Sequence, residues 1–146
     1  MKDTNSKLTA VHEIHGFVHA PPESVFQILS DINSWPEWQG DIRVYTAGNP
    51  GPGFKFKWSD SGMPIYSKIT SWKPNHELEW VSKSLWLKSI TRWTIEMQED
   101  GTLIHCEVTI EGFGAAMIKP VIAKNMELTM AELIKHAHAV PQPVYS

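Results

Sequence analysis

Residues 87–112 read LKSITRWTIEMQEDGTLIHCEVTIEG, and the fold turns on this stretch. Leu87, Ser89, Thr91, Trp93, Ile95 and Met97 recur at every second position, opposite Lys88, Arg92 and Glu96. After Glu99-Asp100-Gly101, the residues Ile104, Cys106, Val108 and Ile110 alternate with His105, Glu107, Thr109 and Glu111. Successive side chains of a strand point to opposite faces, so each run has one dry and one wet face. The acidic pair followed by glycine between them is a hairpin turn. Beyond Gly112–Gly114 the period changes: Ile118, Ile122, Met126, Met130, Leu133 and Ala137 fall on one helical stripe, with Lys119, Lys124, Glu127 and Lys135 off it. Pro120 is placed in the first turn of this helix, where its missing N–H costs nothing. A long antiparallel pair followed directly by one long amphipathic helix is the frame for the rest.

Working upstream, Val11 to His19 reads as a strand closed by Ala20-Pro21-Pro22. The prolines open a short helix with Val25, Ile28, Leu29 and Ile32 at helical spacing, and Asn33–Trp38 reads as a second, with Ser34 as its cap. Period two then holds. Ile42, Val44 and Thr46 share one face, and after the turn at residues 47–53, Phe54, Phe56 and Trp58 alternate with Lys55, Lys57 and Ser59. Met63, Ile65, Ser67 and Ile69 form the next face, and Leu78, Trp80 and Ser82 the one after. The sum is an α+β domain: a seven-stranded curved antiparallel sheet, two short helices after its first strand, and a long C-terminal helix over the apolar face. Residues 1–9 are expected to be flexible, 10–138 to form one domain, and 139–146, with Pro141 and Pro143, to be a flexible tail.

Composition narrows the function classes. The 146 residues are 42% apolar and 20% charged, with 13 basic against 16 acidic side chains, a net charge of −3. A chain of this size buries about 70% of its unfolded surface, enough for a core that encloses a cavity. The acidic balance without a basic run argues against nucleic acid as partner. No stretch approaches the roughly 18 apolar residues of a membrane span, and Met1–Lys7 lacks an apolar leader segment. The single cysteine, Cys106, cannot form an internal disulfide, which suits a reducing compartment, so a cytoplasmic location is expected. Seven tryptophans are the one unusual figure.

If the apolar parities point inward, the sheet offers Phe54, Phe56, Trp58, Ile65, Trp80, Leu87, Trp93, Ile95, Met97 and Val108 as a ligand-binding wall. The helix adds Met117, Ile122, Met126 and Met130. Such a wall suits a flat, apolar ligand, because tryptophan and methionine supply polarizable, adaptable area. For any one of these residues, plain core is the more common role. Polar groups of inward parity are few: His12, Ser67, Ser82, Ser89, Thr91 and Cys106, and no Asp, Glu, Lys or Arg stands out among them. For acid–base work the candidates are therefore His12, Ser89 and Thr91, with Tyr66 at the cavity mouth. No metal or cofactor is expected. His15 and His19 lie roughly 13 Å apart along an extended strand, too far to share one ion. Cys106, in an apolar alternation with no cation beside it in sequence, reads as an inert thiol. Trp35 and Trp38 share a helical face and are expected to serve structure before lining an entrance. The turn at 59–63 and the glycines at 112–114 are the candidate moving parts.

Four pieces in order carry a resemblance: Ala20-Pro21-Pro22-Glu23-Ser24-Val25-Phe26 leading to Asp31; Trp35-Pro36-Glu37-Trp38; Ile69-Thr70-Ser71-Trp72-Lys73-Pro74 leading to Leu78-Glu79-Trp80; and Gly101-Thr102 through Glu107 to Gly112. Together they resemble the START-like or Bet v 1-like helix-grip superfamily (SRPBCC), nearest to its polyketide cyclase/dehydrase and lipid transport branch. The resemblance implies a deep cavity between sheet and last helix, used across the superfamily for lipids, sterols, quinones, polyketides and plant hormones. It does not imply one reaction. The expected function is binding, sequestration or transport of a small hydrophobic molecule. One alternative is a polyketide cyclase, aromatase or dehydratase in which His12, Tyr66, Ser89 or Thr91 steers proton transfer. Another is a protein-interaction module of the chaperone-cofactor type, with an exposed apolar patch around Phe17, Tyr45 or Trp86. The oligomeric state is not fixed by the sequence.

Overall fold

The computed structural model describes residues 8–46 and 48–139. Its elements are β1 (Thr9–Val18), α1 (Pro22–Ser30), a 3₁₀ helix (Ile32–Glu37), β2 (Ile42–Val44), β3 (Lys55–Asp60), β4 (Met63–Lys73), β5 (Glu77–Ser84), β6 (Leu87–Gln98), β7 (Gly101–Glu111) and α2 (Ala115–Ala139). The seven strands form one antiparallel sheet in the order β1-β7-β6-β5-β4-β3-β2. This is the helix-grip arrangement: the sheet curves around α2, and α1 with the 3₁₀ helix closes one end.

The register carries the alternating faces across the sheet. One row runs His12, Val108, Thr91, Trp80, and the next runs Ile14, Cys106, Trp93, Leu78. Leu78, Trp93, Cys106, Ile104 and Ile110 are buried on the concave face, as the parity of residues 87–112 predicts. One irregularity changes the parity further along. Ile69 pairs with Trp80 but Ser71 with Glu79, so Thr70 is an extra residue. Such a bulge bends the strand and shifts the side chains beyond it to the other face. Trp72 consequently turns inward and meets Phe26 of α1 edge-to-face, with ring centroids 5.3 Å apart.

Two glycines permit close approaches. A Cβ on Gly16 would lie 2.6 Å from Met130 Sδ and 3.0 Å from Ile134 Cδ1, so this is where α2 lies tightest on β1. A Cβ on Gly101 would collide with the backbone carbonyl of Val18.

Four local expectations change. The second short helix is 3₁₀ and starts at Ile32, and Ser34 is inside it: its amide donates to Asp31 O at 3.0 Å and its side chain caps nothing. β2 ends at Val44; beyond it Thr46 stays beside β3 through its hydroxyl, which accepts from the Lys57 amide at 2.6 Å. α2 begins at Ala115, so Pro120 falls in its second turn rather than its first. Gly112 (φ 134°) and Gly114 (φ 85°) reverse the chain, and the fully buried Ala115 anchors the helix there. β1 starts at Thr9, paired with Glu111, the last residue of the segment expected to be flexible. Residues 1–7, Ala47 and 140–146, covering most of the expected flexible termini, lie outside the described residues.

Candidate functional site

Between the concave face and α2 lies a cavity of about 200 Å³. Its closed end is made by Leu29 of α1, Trp35 of the 3₁₀ helix, and Trp80, Trp93 and Cys106 of the sheet, all buried. Its other end is framed by Met63, Ser84, Leu87 and Ile118, which are half-buried or exposed, and this is the mouth. Five of the seven tryptophans line it: Trp35, Trp38, Trp58, Trp80 and Trp93.

The wall is stiff because its rings hold one another. Trp35 Nε1 donates to Leu29 O at 3.0 Å, and its ring lies 5.3 Å from Trp58, 5.2 Å from Trp80 and 5.6 Å from Phe56. Trp58 Nε1 donates to Ser67 Oγ at 2.9 Å, and Ser67 and Ser82 share a hydrogen bond of 2.6 Å. A buried chain of this kind costs little, since its members satisfy each other. Two ring nitrogens break the pattern. Trp93 Nε1 and His12 Nε2 are buried with no hydrogen-bond partner among the described residues. Leaving a buried donor unpaired costs about 1–3 kcal/mol.

The cavity holds two titratable side chains, Asp60 and Cys106. Burial raises the Asp60 carboxyl above its ordinary value, with a further upward push from Asp41 and an opposing hydrogen bond from Ser61 Oγ at 3.2 Å. Burial also pushes the Cys106 thiol far up, which keeps it protonated and unreactive. Among the described residues no group of three or more His, Cys, Asp or Glu side chains is placed to hold a metal ion. His15 instead stacks on His105 at 4.4 Å, and His105 Nε2 meets Glu13 Oε2 at 3.1 Å, all away from the cavity.

Of the expected wall, Trp58, Ile65, Trp80, Leu87, Trp93, Val108, Ile122 and Met126 line the cavity, as do Ser89 and Thr91. The others do not. Phe56 is buried behind the wall among Trp35, Trp58 and Trp80, and Phe54 stacks on it at 5.8 Å. Ile95 is buried further along β6, beyond the cavity, and Met97 near the strand end, past the cover of the helices, is 76% exposed. Met130 is taken up by the contact over Gly16. Met117 is 86% exposed because it stands one residue, about 100° of helix, off the Ile118 and Ile122 stripe. His12 shares the inward row but lies beside the cavity, and Tyr66 has the opposite parity, on the outer face with Lys57 Nζ 5.5 Å from its ring.

Sequence reasoning missed Asp60, Gln39, Ser84, Asn125 and Thr129. Asp60 was legible, since it shares the parity of Phe56 and Trp58. Asn125 and Thr129 sit four apart beside the Ile122 and Met126 stripe and widen it. Trp35 and Trp38 both line the cavity, so structural support and lining are one role here. Phe17, Tyr45 and Trp86 are exposed but form no single patch, because β1 and β2 are opposite edges of the sheet and Trp86 stands at the turn after β5.

Residues 11–138 match the family model described as polyketide cyclase / dehydrase and lipid transport. The chain belongs to this family. Among curated proteins, no sequence matches. Solved structures give the fold of this polyketide cyclase/dehydrase and lipid transport domain at low identity. The di-domain ARO/CYC BexL from the BE-7585A biosynthetic pathway has 20% identity and a TM-score of 0.76 over 94% of this chain and 53% of that one, so this chain spans about half of it. Protein MLL2253 from Mesorhizobium loti has 17% identity and a TM-score of 0.73, covering 90% of this chain and 99% of that one. Ara h 8.0201 has 15% identity and a TM-score of 0.70, with the same coverage of both chains.

Proposed function

We infer that this chain binds and sequesters a small aromatic molecule that carries one hydrogen-bond acceptor. The observation that carries the reading is the cavity walled by five tryptophans, one of which, Trp93, keeps its Nε1 without a hydrogen-bond partner among the described residues. Size supports rings over long acyl chains: an apolar protein cavity of about 150 Å³ takes up benzene, and this one is about 200 Å³. That is room for one or two fused rings. The family supports small hydrophobic ligands in general, and the tryptophan wall favours flat ones.

Two matched probes test it: acetonaphthone, and isopropenylnaphthalene, in which a methylene replaces the carbonyl oxygen. Titrations followed by tryptophan fluorescence are expected to show the ketone binding roughly two- to tenfold more tightly to the wild type, the worth of one neutral hydrogen bond. In Trp93→Phe that preference disappears, and the ratio cancels whatever packing the smaller ring loses. Equal affinities in the wild type, or no binding of either probe, would sink the reading.

An enzyme is the second reading, favoured by Asp60, the one carboxyl among the described residues that line the cavity, whose pKa burial raises. Ser89 and Thr91 would orient the substrate. Its test is turnover of an aromatic polyketide substrate that Asp60→Asn abolishes without loss of binding.

A further inference from the structure

Besides Met63, five large apolar side chains stand exposed on the segments that frame the cavity mouth. They are Leu85 and Trp86 in the turn between β5 and β6, Phe113 in the loop before α2, and Met117 and Val121 in the first two turns of α2. The segments touch. Trp86 Nε1 donates to Phe113 O at 2.6 Å, and a Cβ on Gly112 would lie 3.0 Å from Trp86 O and from Leu87 Cδ2. Leu87 and Ile118, the sequence neighbours of Trp86 and Met117, point the other way and line the cavity. Leu85 holds φ 56°, a conformation that glycine or asparagine would adopt at lower cost, so the turn's own stability does not call for leucine there.

The charges beside this rim are mostly positive. Lys83 and Lys88 face each other across β5 and β6 directly next to the turn, and Tyr66 and Lys57 continue that row on the outer face. Lys55 and Lys68 form the neighbouring pair. None of these lysines makes an ion pair among the described residues. The acidic groups near the mouth are Glu111, opposite Lys88, together with Asp60, which faces the cavity, and Asp41, whose carbonyl accepts from the Ser61 amide. In a chain of net charge −3 this is a local concentration of cations.

Whatever seats on the rim covers the mouth. A folded protein or a second copy would seal the cavity, whereas a bilayer offers a medium in which an apolar ligand dissolves. Tryptophan and tyrosine rings at headgroup depth, shallow apolar side chains and flanking lysines are the combination that an anionic interface rewards. We propose that the cavity mouth docks on anionic phospholipid bilayers, with Leu85, Trp86, Phe113, Met117 and Val121 entering the interface and the lysine row on the headgroups. No helix among the described residues is long and apolar enough to cross a membrane, so the attachment is peripheral. The docking rests on the cavity reading for its purpose but not for its measurement, which uses no ligand.

The test is flotation of the full chain with phosphatidylcholine vesicles, with and without phosphatidylglycerol, at low and high salt. The wild type is expected to float with the anionic vesicles at least tenfold more than with the neutral ones, and less at high salt. Leu85→Glu combined with Met117→Glu should abolish flotation, and Lys83→Glu combined with Lys88→Glu should weaken it. The acetonaphthone titration, repeated on these variants, reports whether the cavity is intact, so loss of docking and loss of ligand binding are read separately. No flotation of the wild type, or rim variants that float as it does, would overturn the proposal. So would a wild-type dimer that Leu85→Glu with Met117→Glu converts to monomer without any vesicle binding, which would assign the rim to a second copy.

Discussion

Asp60 shows how one residue reports on its surroundings. It ends β3 on the inward face, half-buried in the cavity wall, and burial raises its carboxyl pKa above 3.8. The native state then binds its proton more tightly than the unfolded chain does, so stability falls as pH rises from the unfolded pKa through the raised native one. Below both values the residue is neutral in either state and costs nothing. Asp60→Asn is therefore expected to raise stability at neutral pH, with the gain vanishing as the pH drops below about 4. Denaturant titrations at several pH values check this; a gain that persists at the lowest pH would mean the effect is packing rather than charge. Trp93 was legible as an inward residue from period two alone. That its nitrogen would be left without a partner was not, because this depends on which hydroxyls reach it, and Ser67 and Ser82 bond to Trp58 and each other instead.

At the scale of elements, the strands and their faces followed from alternation because a period of two fixes every side chain once one is placed. The bulge at Thr70 was hidden, since an extra residue leaves no mark in composition, and Trp72 was missed as a result. The start of α2 was hidden for a different reason. The stripe from Ile118 onward shows a helix but not how far it extends backward, and the turn made by Gly112 and Gly114 sets the first residue at Ala115. Pro120 consequently sits where its missing N–H leaves the Ala116 carbonyl unpaired within the helix. Pro120→Ala is expected to stabilise by up to about 3 kcal/mol, or roughly 6–12 °C in Tm, read by thermal unfolding. A fall in Tm would show that the break is needed for packing. The opposite sign is expected at Gly101, where a Cβ meets the fixed carbonyl of Val18 across the β1–β7 pair. Gly101→Ala should cost about 1–3 kcal/mol, while Gly40→Ala, whose Cβ would meet nothing within 4 Å, should stay within about 0.5 kcal/mol.

For the whole molecule, the order of strands, short helices and final helix was readable because local periods agree with the global layers. The cavity's extent was not, since it depends on how close α2 comes to the sheet, and the contact at Gly16 sets that distance through three dimensions. Thus Met130 became core, Phe56 became support, and the wall contracted onto the tryptophans around Trp35. An aromatic ligand is expected to sit among those rings. Fluorine NMR of the protein carrying fluorotryptophan at all seven positions tests it most directly. On addition of acetonaphthone, the resonances of Trp35, Trp38, Trp58, Trp80 and Trp93 are expected to shift, while Trp72, packed on Phe26, and the exposed Trp86 stay in place. Shifts confined to Trp72 or Trp86, or no shifts at saturating probe, would contradict it.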